Sequence, residues 1–98
     1  MLDISTINRR YFNIKINDLC LDVEPPKIKV LRKIVDLSKS RGDNAIDELS
    51  EAVKMILSKN KTGYKVSDDV IDDLDMDEYL VILTEYFKWL AEVRNSPN

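Results

Sequence analysis

The residues best suited by type to chemistry are the acids crowded between positions 68 and 78: Asp68, Asp69, Asp72, Asp73, Asp75, Asp77 and Glu78. Asp73, Asp75 and Asp77 stand two apart, the spacing that opens a calcium loop. Such a loop also needs glycine at its sixth position and a bidentate glutamate at its twelfth. Here those places hold Glu78 and Thr84, so the pattern fails on both. A carboxyl pair working as acid and base requires one member with a raised pKa in an apolar enclosure. A run of acids on a short exposed helix offers the opposite surroundings. The expectation is that these acids cap helix N-termini, where the backbone dipoles favour negative charge, and solvate a linker.

Other chemistry is removed by what the chain lacks. With no histidine, neither Ser-His-Asp nor Cys-His nucleophiles nor imidazole metal sites can be built. With one cysteine, Cys20, an internal disulfide and a thiolate zinc cluster are both ruled out. Cys20 sits in an apolar alternation with only Lys15 and Lys27 as nearby bases, and is expected to be an inert strand residue. Gly42 and Gly63 are isolated, so no phosphate-cradling loop exists. The expectation is a protein that binds rather than catalyses, with no cofactor and no metal. Ninety-eight residues make one domain, 1–98. No opening segment reads as a signal peptide and no window is apolar enough to span a membrane, which points to the cytoplasm.

The elements that must position these residues follow from periodicity. After an arm over 1–10, residues 11–24 predict a hairpin. Phe12, Ile14 and Ile16 alternate with polar neighbours, as do Leu19, Leu21 and Val23, and Asn17-Asp18 suits the turn. Helices are expected over 26–41, 44–61, 68–73 and 76–94, the last being longest. Pro26 is placed in the first turn of the first helix, Gly42 at its C′ position, and Asn44 with Asp47 as a capping box for the second. Ser67 is the expected N-cap of the short helix, with Val66 and Ile71 as a hydrophobic staple. Asp75 and Glu78 form a second capping box, with Leu74 and Tyr79 as its staple. The fold class is α+β, mainly α: a two-stranded hairpin followed by three to four helices.

Charge divides the chain. Residues 1–42 carry a net +4 and residues 43–98 a net −7. The basic first helix has no aromatic interleaving, and the acidic whole opposes phosphate attraction, so nucleic acid is not the expected partner. On the last helix Met76, Tyr79, Leu80, Leu83, Phe87 and Leu90 form a central apolar stripe, widened on one flank by Tyr86 and Val93 and further by Ile82 and Trp89. A central packing helix with the hairpin on one flank is one expectation. The functional one is that Tyr86, Trp89, Val93 and Ile82 present an aromatic anchor to a partner, as such residues do at binding hot spots.

With these elements in place, the chain resembles the small tail assembly chaperones of long-tailed bacteriophages and prophages of Gram-positive bacteria. Three pieces carry the resemblance: Tyr11-Phe-Asn-Ile-Lys-Ile-Asn-Asp-Leu-Cys-Leu-Asp-Val-Glu-Pro-Pro-Lys-Ile-Lys-Val-Leu-Arg-Lys, the acidic region before the last helix, and the ending Tyr86-Phe-Lys-Trp-Leu-Ala-Glu-Val-Arg-Asn-Ser-Pro-Asn. The resemblance implies a protein of the host bacterial cytoplasm that binds the tape-measure protein, keeps it soluble and helps recruit tail-tube protein. It also implies that this chain is the shorter of two frameshift products. Self-association into a homo-oligomer fits the same expectation. The alternative is a small phage or mobile-element regulator that binds DNA or a bacterial protein through the basic first helix.

Overall fold

A short hairpin cannot stand alone in water, and the architecture follows from how this one is backed. The computed structural model describes residues 1, 3, 4 and 10–92. Strands β1 (Phe12–Ile16) and β2 (Leu19–Val23) pair antiparallel, with Phe12 opposite Val23, Ile14 opposite Leu21 and Ile16 opposite Leu19. Both apolar sets therefore share one face. Asn17 supplies the left-handed residue of the two-residue turn, φ 54°. Four helices follow: α1 (Ile28–Ser38), α2 (Ala45–Ser58), α3 (Asp68–Asp72) and α4 (Met76–Glu92). The fold is α+β, mainly α, and every element contributes to a single core. Helix α2 lies at its centre, against α1, α3, α4 and β2.

The junction of α2 with the hairpin departs from the expected helix over 44–61. Helix α2 ends at Ser58, because residues 59–61 leave it to lie along β2. The Glu24 N–H donates to the Lys59 carbonyl (2.8 Å), and the Lys61 N–H donates to the Asp22 carbonyl (2.9 Å). Between them Asn60, 5% exposed, is the buried polar side chain among the described residues. Its amide nitrogen donates to the carbonyls of Leu57 (2.9 Å) and Tyr64 (2.7 Å). Its amide oxygen accepts from the Tyr64 N–H (2.8 Å) and the Thr62 hydroxyl (3.2 Å). Both donors and both lone pairs are thus used. Gly63 closes the turn with φ 72°.

Other boundaries also shift for local reasons. Helix α1 begins at Ile28, after an extended Lys27, so Pro26 lies outside the first turn and not in it. It ends in a tightened turn, with the Ser40 N–H on the Leu37 carbonyl (3.3 Å), so Gly42 belongs to the linker and not to a C′ cap. Asn44 is the N-cap of α2 but makes no side-chain bond. Its φ −99° and ψ 9° are not the extended geometry that aims a capping side chain. The expected Asn44–Asp47 box is therefore absent. The box on α4 does form: the Asp75 carboxylate accepts from the Glu78 N–H (2.8 Å), and the Glu78 carboxylate accepts from the Asp75 N–H (2.9 Å). Ser67 caps α3 by accepting from the Val70 N–H, and Val66 and Ile71 are both buried. The expected end of α4 at residue 94 lies outside the described residues.

Replacing Asn60 by alanine strands the Leu57 carbonyl, which is buried, and the Tyr64 N–H and carbonyl, which are partly buried. The variant is expected to lose about 2–3 kcal/mol of stability, the penalty of unsatisfied buried polar groups, measurable by urea unfolding.

Candidate functional site

The expected aromatic anchor turns inward. Tyr86 is 1% exposed and Ile82 is buried beside it, so neither is a surface contact; this corrects the anchor read from periodicity. Phe12 of β1 meets the ring of Tyr86 edge-on at 5.8 Å and that of Trp89 at 5.7 Å. Trp89 is half-buried and is further covered by Arg10. The Arg10 guanidinium lies 4.7 Å from the indole centroid and donates to the Trp89 carbonyl at 2.9 Å. Val93 lies outside the described residues. Helical spacing sets the angles between side chains, not which side meets the core. Here the core selects Tyr79, Ile82, Leu83 and Tyr86, roughly 60° from the expected stripe at 100° per residue.

That rotation carries two residues of the expected stripe into solvent. Met76 is 39% and Leu80 48% exposed, and Val81 beside them is 60% exposed. Their position is held from within by Tyr79, whose hydroxyl donates to the Ile71 carbonyl (2.8 Å) and meets the Ser50 hydroxyl (2.9 Å). Three helices, α2, α3 and α4, are thereby locked around the start of α4.

Strand β1 and α4 touch where Phe12 meets Tyr86 and Trp89, and they part towards the other end. The gap is a cleft of about 480 Å³ between residues 14–17 and residues 73–82. Ile14, Ile16, Leu74, Val81 and Ile82 give it an apolar floor, and Asp73, Asp75, Asp77 and Glu78 rim it against the single base Lys15. A shallower depression at Leu80, Val81, Thr84 and Glu85 adjoins it through Val81. No serine, threonine or cysteine among the described residues lines the cleft. Among the described residues, no group of three or more Cys, Asp or Glu could hold a metal ion. Cys20 is exposed on the outer face of β2.

Sequence reasoning missed this site. The acids were visible, but their company was not, since Ile14 and Ile16 are remote in sequence from Val81 and Ile82. The signal that could have found it is Val81, a large apolar residue that 100° spacing puts nearly opposite the apolar stripe of its own helix. A second surface is the exposed basic face of α1, with Lys27, Lys29, Arg32 and Lys33. No helix among the described residues is long and apolar enough to cross a membrane. Compared with known proteins, the chain matches no family model, no curated protein and no solved structure.

Burial also pushes the Tyr86 phenol well above its ordinary value by disfavouring the phenolate. A folded-state value above the unfolded value of about 10 means the folded protein holds this proton longer. The resulting stability is intact below about pH 10 and lost as pH rises through the folded value. Urea unfolding between about pH 9 and 11.5 is expected to show a steeper loss of stability in the wild type than in Tyr86→Phe.

Proposed function

We propose that the chain is a tail assembly chaperone that binds a helical tape-measure protein non-covalently, keeps it soluble in the host bacterial cytoplasm and aids tail-tube assembly around it. It acts by covering apolar surface and not by catalysis. The observation that carries this reading is the set of exposed apolar side chains Met76, Leu80 and Val81 at the start of α4, of which Val81 lines an open cleft and shares a second depression with Leu80. Such a surface suits the apolar face of a partner helix, the groove-and-helix mode of recognition.

The magnitudes fit a chaperone. Fully burying a large apolar side chain contributes about 1.5–3 kcal/mol. Three partly exposed ones contribute less than three times that, before the loss of translational and rotational freedom is met. Less than about 9 kcal/mol gross, reduced by at least about 4 kcal/mol for association, leaves a reversible hold no tighter than the sub-millimolar range from these side chains, and reversibility is what handing a tape-measure protein to tail-tube subunits requires.

The exposed bases of α1, Lys27, Lys29, Arg32 and Lys33, favour the competing reading, a small phage or mobile-element regulator of DNA or of a bacterial protein. A gel shift that weakens with salt supports that reading; no shift at low salt removes its DNA form.

Leu80→Asp places a charge on this surface without entering the core. It is expected to change stability by less than about 0.5 kcal/mol and to reduce retention of a helical tape-measure fragment about tenfold or more in pull-down titrations. Trp89→Ala is expected to do the reverse, lowering stability through the lost packing on Phe12 while the folded variant still retains the fragment.

A further inference from the structure

The cleft has a rim of essentially one sign, and its acids are of two kinds. Asp75 and Glu78 are each committed to the other's backbone N–H in the cap of α4. The side chains of Asp73 and Asp77 take no part in that cap; both residues are exposed and both line the cleft. They do not need a ligand to satisfy them, but they discriminate between ligands.

Consider what can enter. An acidic segment meets four like charges along the side formed by residues 73–78, against one base, Lys15, on the other. A purely apolar segment strips water from carboxylates and gives nothing in return. A helix with an apolar face flanked by Lys or Arg satisfies floor and rim together, because the aliphatic stems lie on apolar surface while the charged heads reach the carboxylates. A cavity of about 480 Å³ accepts the side-chain tips of one helical face and leaves the helix body outside. The adjoining depression beside Leu80 and Val81 extends the apolar track along α4.

We infer that this cleft docks a basic-flanked amphipathic helix of the partner protein, its apolar side chains over Ile14 and Val81 and its cations over Asp73 and Asp77. The inference rests on the chaperone reading and adds that recognition is selective for charge. Lys15, the one base on the rim, opposes this ligand and tunes the affinity downward.

The test uses two synthetic peptides of about 18 residues with the same leucine face, one flanked by lysines and one by glutamates. Each is titrated onto the full chain by fluorescence anisotropy at about 50 and 300 mM salt, across which screening of exposed charges grows. The lysine peptide is expected to bind about tenfold tighter at low salt, with most of that advantage gone at high salt. The double variant Asp73→Asn, Asp77→Asn is expected to remove most of the preference with its urea midpoint unchanged, and Lys15→Glu to enlarge it. A preference that survives the double variant overturns the inference. So does equal binding of both peptides; if Val81→Asp then releases both, the charge selectivity fails while the chaperone reading stands. If neither peptide binds, both fail. If sedimentation shows the chain associating with itself and excluding the peptide, the cleft belongs to a second copy and the inference is overturned.

Discussion

The amide of Asn60 ties the end of α2 to the turn at Tyr64 at the place where the chain meets β2, beside the core contact of Val23, Leu57 and Val66. One end of it closes α2 through the Leu57 carbonyl, and the other fixes the turn to Tyr64. The backbone on either side of it pairs with β2 through Asp22 and Glu24. A hairpin of two five-residue strands is marginal by itself, so this attachment gives β2 its backing. The same turn releases the chain towards Val66 and α3 and sets where Ile71 can accept the hydroxyl of Tyr79. The start of α4 is thus placed by a relay that begins in one buried side chain.

The cleft is a consequence of where the hairpin is held. It is fixed on its β2 edge by residues 59–61 and at the Phe12 end of β1 by the aromatic rings of Tyr86 and Trp89. Both attachments lie at the open end of the hairpin, where Phe12 pairs with Val23, and residues 14–17 run on beyond them towards the turn, opposite the first turns of α4. The core residues Ile16 and Ile82 therefore close the bottom of a gap whose mouth holds the exposed Val81, and the caps of α3 and α4 place their acids along one side of it. Along α4 the C-terminal half secures the hairpin through Tyr86 and Trp89, while the first half buries Tyr79, Ile82 and Leu83 on one side and exposes Met76, Leu80 and Val81 on the other.

What was legible in the sequence was what is decided locally. The alternation of Phe12, Ile14 and Ile16 with Leu19, Leu21 and Val23 sets both strands and their shared face. The Asp75–Glu78 box and the Ser67 cap are set by bonds within one turn. The rest depends on distant partners. Asn60 falls within the helix expected over 44–61, because nothing in its neighbourhood announces β2. The rotation of α4 was hidden because Tyr86 and Ile82 are buried by Phe12 and the other core elements, not by neighbours on their own helix. That is why the aromatic residues expected to meet a partner serve the core, while Leu80 and Val81 meet solvent.

The chaperone proposal and the cleft stand on one claim, that this chain holds a helical partner against the start of α4. Hydrogen–deuterium exchange on the full chain, alone and with a helical tape-measure fragment bound, tests it most directly. The expected result is added protection at residues 14–17 and 73–84, with α1 unchanged. Added protection confined to α1, or none anywhere while the fragment is bound, contradicts it.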